Sequence, residues 1–259
     1  MALGYEIIGN GHERVLVLPD WFGGSAFLKS LGELVDGDSF TYAVADYRGY
    51  GRSREQRGKY TIQEMAADAL CLADELRWKQ FHLVGHSMSG KVVLLLAATA
   101  SDRIKSAIAM TPASPTAVPL DDGTRQLLEG CQISRESRIT ALDAATGSRY
   151  GKAFISRLAD ISMAASRPEA YRAYLDAWSK TDITPDLRDA NVPLKVMVGA
   201  NDPFVQESVV RDTVIRAFPR ADLCVLQNVG HYPVLEAPPL TIALWESWFN
   251  SVDDKNVSN

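Results

Sequence analysis

The sequence predicts an α/β protein built on a mostly parallel, doubly wound sheet, with an all-helical insertion ahead of its last two strands. Three observations carry that expectation. Short β-rich apolar runs alternate with longer helical patterns over most of the 259 residues, the signature of a sheet covered on both faces. The alternation stops between about Ser114 and Asp186, where only helical patterns occur. The run Phe81–Val84 leads straight into Gly85-His86-Ser87-Met88-Ser89-Gly90 and then into an apolar helix, a strand-turn-helix unit.

In chain order, Tyr5–Ile8 is the weakest strand candidate and is expected at an early edge. Arg14–Leu18, Phe40–Ala45, Phe81–Val84, Lys105–Met110, Leu194–Val198 and Leu223–Leu226 are short runs rich in apolar and β-branched residues, as buried strands are. Thr61-Ile62-Gln63-Glu64 reads as a capping box, with the Thr61 hydroxyl placed to accept from the Glu64 amide. Behind it Met65, Ala66, Ala69, Leu70, Leu72, Ala73 and Leu76 recur at helical spacing. A helix starting near Ser89 is apolar almost all round and is expected to be deeply buried. The helix-only stretch has its patterns around Gly123–Leu128, Ser137–Ala145, Ala153–Met163 and Pro168–Trp178. It is expected to sit on top of the sheet as a lid, giving a core of 1–114 plus 187–259 and a cap of 115–186. Pro238-Pro239 opens a final helix over Leu240–Phe249, and Asp253-Asp254-Lys255-Asn256 reads as a frayed tail.

A formal net charge of −5 argues against nucleic acid or an anionic membrane surface as partner. No stretch is apolar for long enough to span a bilayer, and the first residues lack a basic region followed by an apolar run. Cys71, Cys131 and Cys224 are scattered without metal-ligand spacing and read as reduced core thiols. A cytoplasmic monomer or homodimer acting on a small molecule is expected, with no metal or organic cofactor.

Ser87 stands between a strand and a helix, with small Gly85 and Ser89 on either side. A nucleophilic serine needs that sharp turn to stand clear of a sheet, and the following helix N-terminus offers the Met88 amide to a developing oxyanion. The pattern resembles the Gly-x-Ser-x-Gly nucleophile elbow of the α/β-hydrolase family, with Ser89 in place of the last glycine. A serine hydroxyl needs a base, and the base needs an orienting acid. The family order of nucleophile, acid and histidine is met by Ser87, by Asp202 after the Leu194–Val198 strand, and by His231 after Leu223–Leu226. Taken alone, Asp202 in Asn-Asp-Pro is also good turn chemistry, and His231 alone reads equally as a buried, hydrogen-bonded histidine. Asp46-Tyr47-Arg48-Gly49-Tyr50-Gly51-Arg52-Ser53 is similar to a structural loop of the family, in which Arg48 pairs with a carboxylate. Of the other histidines, His82 reads as packing, His12 as part of a turn, and His86 as at most a support.

The sequence departs from the family in the loop after the first core strand, where Pro19-Asp20 stands for the usual His-Gly. The resemblance then leaves the Trp21 amide as second oxyanion donor, and Asp20 is expected to turn away and accept local amides. Phe22, Tyr174 and Trp178 are expected in the wall of an apolar pocket. The implied activity is serine hydrolysis of a small, largely apolar carboxylic ester through an acyl-enzyme. A lactonase, carbon–carbon bond hydrolase or perhydrolase fits the same resemblance, and a non-catalytic small-molecule receptor on this scaffold is the alternative of a different class.

Overall fold

The computed structural model describes residues 2–187 and 191–257, with 253–257 described by their backbone only. Seven strands form one sheet: β1 Tyr5–Ile8, β2 Glu13–Leu18, β3 Phe40–Ala45, β4 Phe81–His86, β5 Ile104–Met110, β6 Leu194–Gly199 and β7 Asp222–Leu226. Their spatial order is β1-β3-β2-β4-β5-β6-β7. Only β1 runs antiparallel, along β3 at the edge; every other pairing is parallel. The expected runs Tyr5–Ile8 and Phe40–Ala45 match β1 and β3, and the other five strands run a residue or two further, because backbone pairing continues past the apolar run. Gly85 and His86, for example, still pair with Ala109 and Met110.

Successive residues of a strand face opposite sides, and the core divides accordingly. Leu16 and Leu18 of β2 join one apolar cluster, while Val15 and Val17 join the other. The first is covered by α1 Ile62–Glu75 and α2 Met88–Thr99. The second is closed by the last helix, whose Trp245 and Phe249 are fully buried. Helix α2 is buried without interruption from Met88 to Ala97, as its all-round apolar character requires.

The chain between β5 and β6 forms α3 Asp122–Gly130, α4 Arg135–Ala145, α5 Lys152–Ala165 and α6 Pro168–Lys180. Beyond β6 come two short helices, α7 Glu207–Val210 and α8 Pro233–Glu236, and then the long α9 Pro238–Val257. Asp253-Asp254-Lys255-Asn256 therefore continue a helix instead of fraying; neither glycine nor proline interrupts the chain after Pro239. Cys131 is buried, but Cys71 is exposed and Cys224 half-buried, so only one of the three thiols lies in the core as expected. Position explains this, since Cys71 falls on the outward face of α1, between the inward-facing Ala69 and Leu72. At the start of α1 the Thr61 hydroxyl accepts from the Glu64 amide at 3.1 Å. The return bond of the capping box goes to the Tyr60 amide instead, at 2.7 Å, because Tyr60 is in a left-handed conformation (φ 55°) just before the cap.

One buried cation ties the helical insertion to the sheet. Lys91 of α2 is fully buried, and its ammonium donates to the carbonyls of Thr116, Trp178 and Thr181 at 3.0, 2.8 and 2.8 Å. Thr116 lies where the chain leaves β5, and the other two lie where it returns from α6. Burial pushes the ammonium pKa down to about 8, with Asp182 pulling the other way. Bonds from a charged donor are worth about 1.5–3 kcal/mol each, enough for three of them to outweigh that cost. Lys91→Met is therefore expected to destabilise the fold by about 2 kcal/mol or more in urea unfolding. An unchanged or higher midpoint would show that burying the charge cancels its bonds.

Candidate active site

At the end of β4 the chain turns abruptly through Ser87, at φ 57° and ψ −114°, and α2 begins at the next residue. That conformation is costly for a side chain with a Cβ, and it persists because its neighbours fix it. The Ser87 amide donates to the Met110 carbonyl at 2.9 Å, and the Ser87 carbonyl accepts from Gly90 and Ala113, both at 2.9 Å. The turn tolerates no bulk at Gly85, where a Cβ would stand 2.4 Å from the Ser89 carbonyl oxygen. Ser89, the departure from the elbow pattern, does more than stay small. Its buried hydroxyl donates to the Pro19 carbonyl and accepts from the Tyr47 hydroxyl, binding the elbow to the loop that follows β2.

The structure brings Ser87, Asp202 and His231 together from the carboxyl ends of β4, β6 and β7. His231 Nε2 lies 2.9 Å from Ser87 Oγ, and His231 Nδ1 lies 2.7 Å from Asp202 Oδ2. Asp202 Oδ1 accepts from the Phe204 and Val205 amides at 2.8 and 3.0 Å, so both carboxylate oxygens are engaged. The loops that carry the acid and the histidine meet closely at Gly199, where a Cβ would lie 2.1 Å from the Gly230 carbonyl oxygen. The His231 carbonyl accepts from His86 Nε2 at 2.7 Å and from the Thr111 hydroxyl at 3.1 Å. His86 thus carries its proton on Nε2 and braces the loop. Burial and the neighbouring His231 push its pKa down to about 3, so it stays neutral.

Beside the serine lies a cavity of about 420 Å³, within the usual range for a small-molecule site. Trp21, Phe22, Leu127, Leu128, Trp178 and Phe204 contribute apolar wall, with Ser87 and His231 exposed to the same space. No lysine or arginine lines it among the described residues. Tyr174 was expected in this wall and is not there. It is buried in a tyrosine cluster with Tyr47, Tyr50 and Tyr60, and its hydroxyl donates to the Arg48 carbonyl at 3.3 Å. Trp178, four positions on, does reach the cavity and leans on Trp21 at 5.6 Å. Arg48 pairs with Asp68 through two bonds of 2.6 Å, as its loop implied.

A profile of the alpha/beta hydrolase fold matches residues 13–238. The chain belongs to that family. It is 24% identical over 230 residues to 3-oxoadipate enol-lactonase 2 of Acinetobacter baylyi, with 83% of this chain and 84% of that one covered. It is 27% identical over 242 residues to a non-heme haloperoxidase of Rhodococcus erythropolis, covering 85% and 83%. Among solved structures, an esterase of Exiguobacterium antarcticum superposes with a TM-score of 0.83 at 19% identity, covering 95% of this chain and 94% of that one. None of the helices described in this hydrolase is long and apolar enough to cross a membrane.

The charges of the hydrolase's site oppose one another. Burial disfavours charged His231, but the Asp202 carboxylate, its hydrogen bond, and the charges of Asp20 and Glu236 outweigh that and hold the histidine's pKa above its ordinary value. Burial likewise resists ionised Asp202, yet His231 and the Val205 and Phe204 amides keep its carboxyl below the usual range. Asp20 does turn to local donors, accepting from Phe22 at 2.7 Å and Gly23 at 3.2 Å. Burial still pushes its pKa up to about 6 against those amides. No acceptor among the described residues takes the Trp21 or Met88 amide.

Sequence reasoning passed over Glu236. Its buried carboxylate accepts from Gly230 and Tyr232 at 2.7 and 3.0 Å and pairs with Arg149. It therefore clamps the histidine loop from both sides of His231. A glutamate five residues after a histidine carries no local signal for this, because the clamp exists only once α8 folds the chain back.

Proposed function

We propose that this hydrolase cleaves a small, largely apolar carboxylic ester through an acyl-enzyme. The observation that carries the reading is the continuous relay from Asp202 through His231 to Ser87 at 2.7 and 2.9 Å, opening on an apolar cavity. Ser87 Oγ attacks the ester carbonyl as His231 Nε2 takes its proton. The Met88 and Trp21 amides hold the oxyanion, the first at the positive end of α2. His231 then gives the proton to the leaving alcohol, and afterwards draws one from the water that releases the acid. Asp202 keeps the histidine proton on Nδ1 and balances the imidazolium that forms. The helices from 115 to 186 act as the cap, a reading supported by Leu127, Leu128 and Trp178 in the cavity wall.

A lactone is a cyclic ester, so the enol-lactonase and esterase names among the relatives agree with this chemistry. The cavity wall favours a neutral substrate, because a carboxylate buried there would find no cation. The test is hydrolysis of short-chain p-nitrophenyl esters as a function of pH. The base must be neutral, and Asp202 raises its pKa. The acid limb of kcat/KM is therefore expected with its midpoint above about 6.5, the unperturbed histidine value. A rate that stays flat down to about pH 4 removes His231 as base. Tight binding of ester analogues with no turnover would favour the receptor reading instead.

A further inference from the structure

The loop after β2 lacks the histidine and glycine of its family, yet the carbonyls of Trp21 and Phe22 and the Trp21 indole are each held by a hydrogen bond. The Trp21 carbonyl accepts from the Tyr50 hydroxyl at 2.7 Å. The Phe22 carbonyl accepts from the Ser162 hydroxyl at 2.7 Å and from Arg138 Nη1 at 3.3 Å. The Trp21 indole N–H donates to the Tyr171 carbonyl at 2.8 Å, and the two rings stack with centroids 4.3 Å apart. Arg138, Ser162 and Tyr171 sit on α4, α5 and α6 respectively, so three of these props come from the helical insertion.

Arg138 is the most telling of them. It is 1% exposed and forms no ion pair with a carboxylate among the described residues. Its guanidinium instead donates to the Cys131 carbonyl at 2.6 Å, to the Ser162 carbonyl at 3.0 Å and to the Ser162 hydroxyl. It also lies 4.0 Å from the centre of the Tyr171 ring. Burying a guanidinium without a carboxylate is expensive unless its donors are engaged, and here three carbonyls and a hydroxyl engage them. What the charge supplies is a rigid planar fork that orients Ser162 and the Phe22 carbonyl together. Ser162, accepting from Arg138, must aim its own proton at Phe22.

Building on the serine-hydrolase reading, we propose that Arg138, acting through Ser162, is a positioning residue for the oxyanion hole. The Met88 donor is fixed by the sheet and α2. The Trp21 donor is fixed in part from the insertion, by the strut of Arg138 and Ser162 on the Phe22 carbonyl. Oxyanion donors act only when they are held at the place where charge develops. Loosening the strut therefore harms the transition state and spares substrate binding.

The experiment compares wild type, Arg138→Met and Ser162→Ala as full chains, with a p-nitrophenyl ester and a trifluoromethyl ketone of matching size. Arg138→Met is expected to lower kcat by about tenfold or more, approaching the roughly hundredfold worth of a whole donor, with KM nearly unchanged. The ketone forms a tetrahedral oxyanion on the serine, so its affinity is expected to fall by the same factor. The midpoint of the pH–rate profile is expected to stay in place, because the Ser87–His231–Asp202 relay is untouched. Ser162→Ala removes one hydroxyl and is expected to show the same pattern at smaller size; it decides the matter if Arg138→Met does not fold. Unchanged kcat, or a rise in KM alone, would overturn the proposal and leave the cluster as packing behind the pocket. A shifted pH midpoint would overturn it too, since the effect would then run through the relay. Absence of Ser87-dependent turnover in the wild type would overturn the serine-hydrolase reading itself.

Discussion

Ser87→Ala is expected to lower ester turnover by about a millionfold and to leave the fold in place. Removing the nucleophile of a base-assisted serine costs about as much as removing the whole relay. The residue left behind cannot form the acyl-enzyme, and water would have to attack the ester without it. The stability expectation rests on what the side chain touches. The Ser87 hydroxyl bonds to His231 Nε2, while the strained turn is held by backbone bonds to Met110, Gly90 and Ala113 that alanine keeps. Alanine meets the same steric cost as serine at φ 57°. Initial rates and fluorophosphonate labelling of wild type and variant, with a thermal melt of each, settle both halves. More than about one per cent of residual activity, or unchanged labelling, would show that another group is the nucleophile.

The sheet was legible because each central strand is an apolar run buried on both sides, and such runs have few other places to go. The meeting of Ser87, Asp202 and His231 was legible for a related reason. Parallel strands deliver their carboxyl ends to one edge of the sheet, so residues just after three such strands are brought near one another by topology alone. The signal weakens where a role depends on chain segments far apart. Tyr174 reads as a wall residue from its aromatic helix face, yet the neighbours that decide its direction are Tyr47, Tyr50 and Tyr60, more than a hundred residues earlier. Arg138 drew no reading from the sequence, because it is the packing of α4 against α5 and the β2 loop that buries it. Ser89 shows the same limit, since its partner Pro19 lies 70 residues earlier. The elbow pattern asks only that its fifth position be small, and nothing local says that its hydroxyl will reach Pro19.

These contacts divide the site by origin. The groups proposed to move protons come from the sheet's edge, where strand pairing limits their motion. The cavity wall is shared, with Leu127, Leu128 and Trp178 coming from the helical insertion and Trp21, Phe22 and Phe204 from loops of the core, while the Tyr171 and Ser162 supports of the Trp21 loop come from the insertion. Substrate range can then change with the insertion while the relay keeps its geometry, provided the support of the Trp21 loop survives.

Asp202→Asn separates the orienting role of the acid from its place in the fold. The two oxygens of Asp202 do different things: Oδ1 accepts from the Phe204 and Val205 amides, and Oδ2 faces His231 Nδ1. An asparagine has one oxygen, and the two loop amides require it. Its amino group must then point at His231 and donate to Nδ1, which forces the imidazole proton onto Nε2. That nitrogen faces Ser87 at 2.9 Å and could no longer take a proton from it. A loss of about 10⁴ in kcat is expected from the wrong tautomer, with the geometry otherwise intact. Losing the Asp202 charge also withdraws the main support for the raised His231 pKa, so residual activity is expected to show its acid limb at lower pH than wild type. The pH–rate profile of the variant reads both effects. A fall of less than about tenfold would mean that Asp202 serves the loop and not the histidine. A large fall with an unmoved acid limb would mean that some other charge holds the imidazole's pKa up.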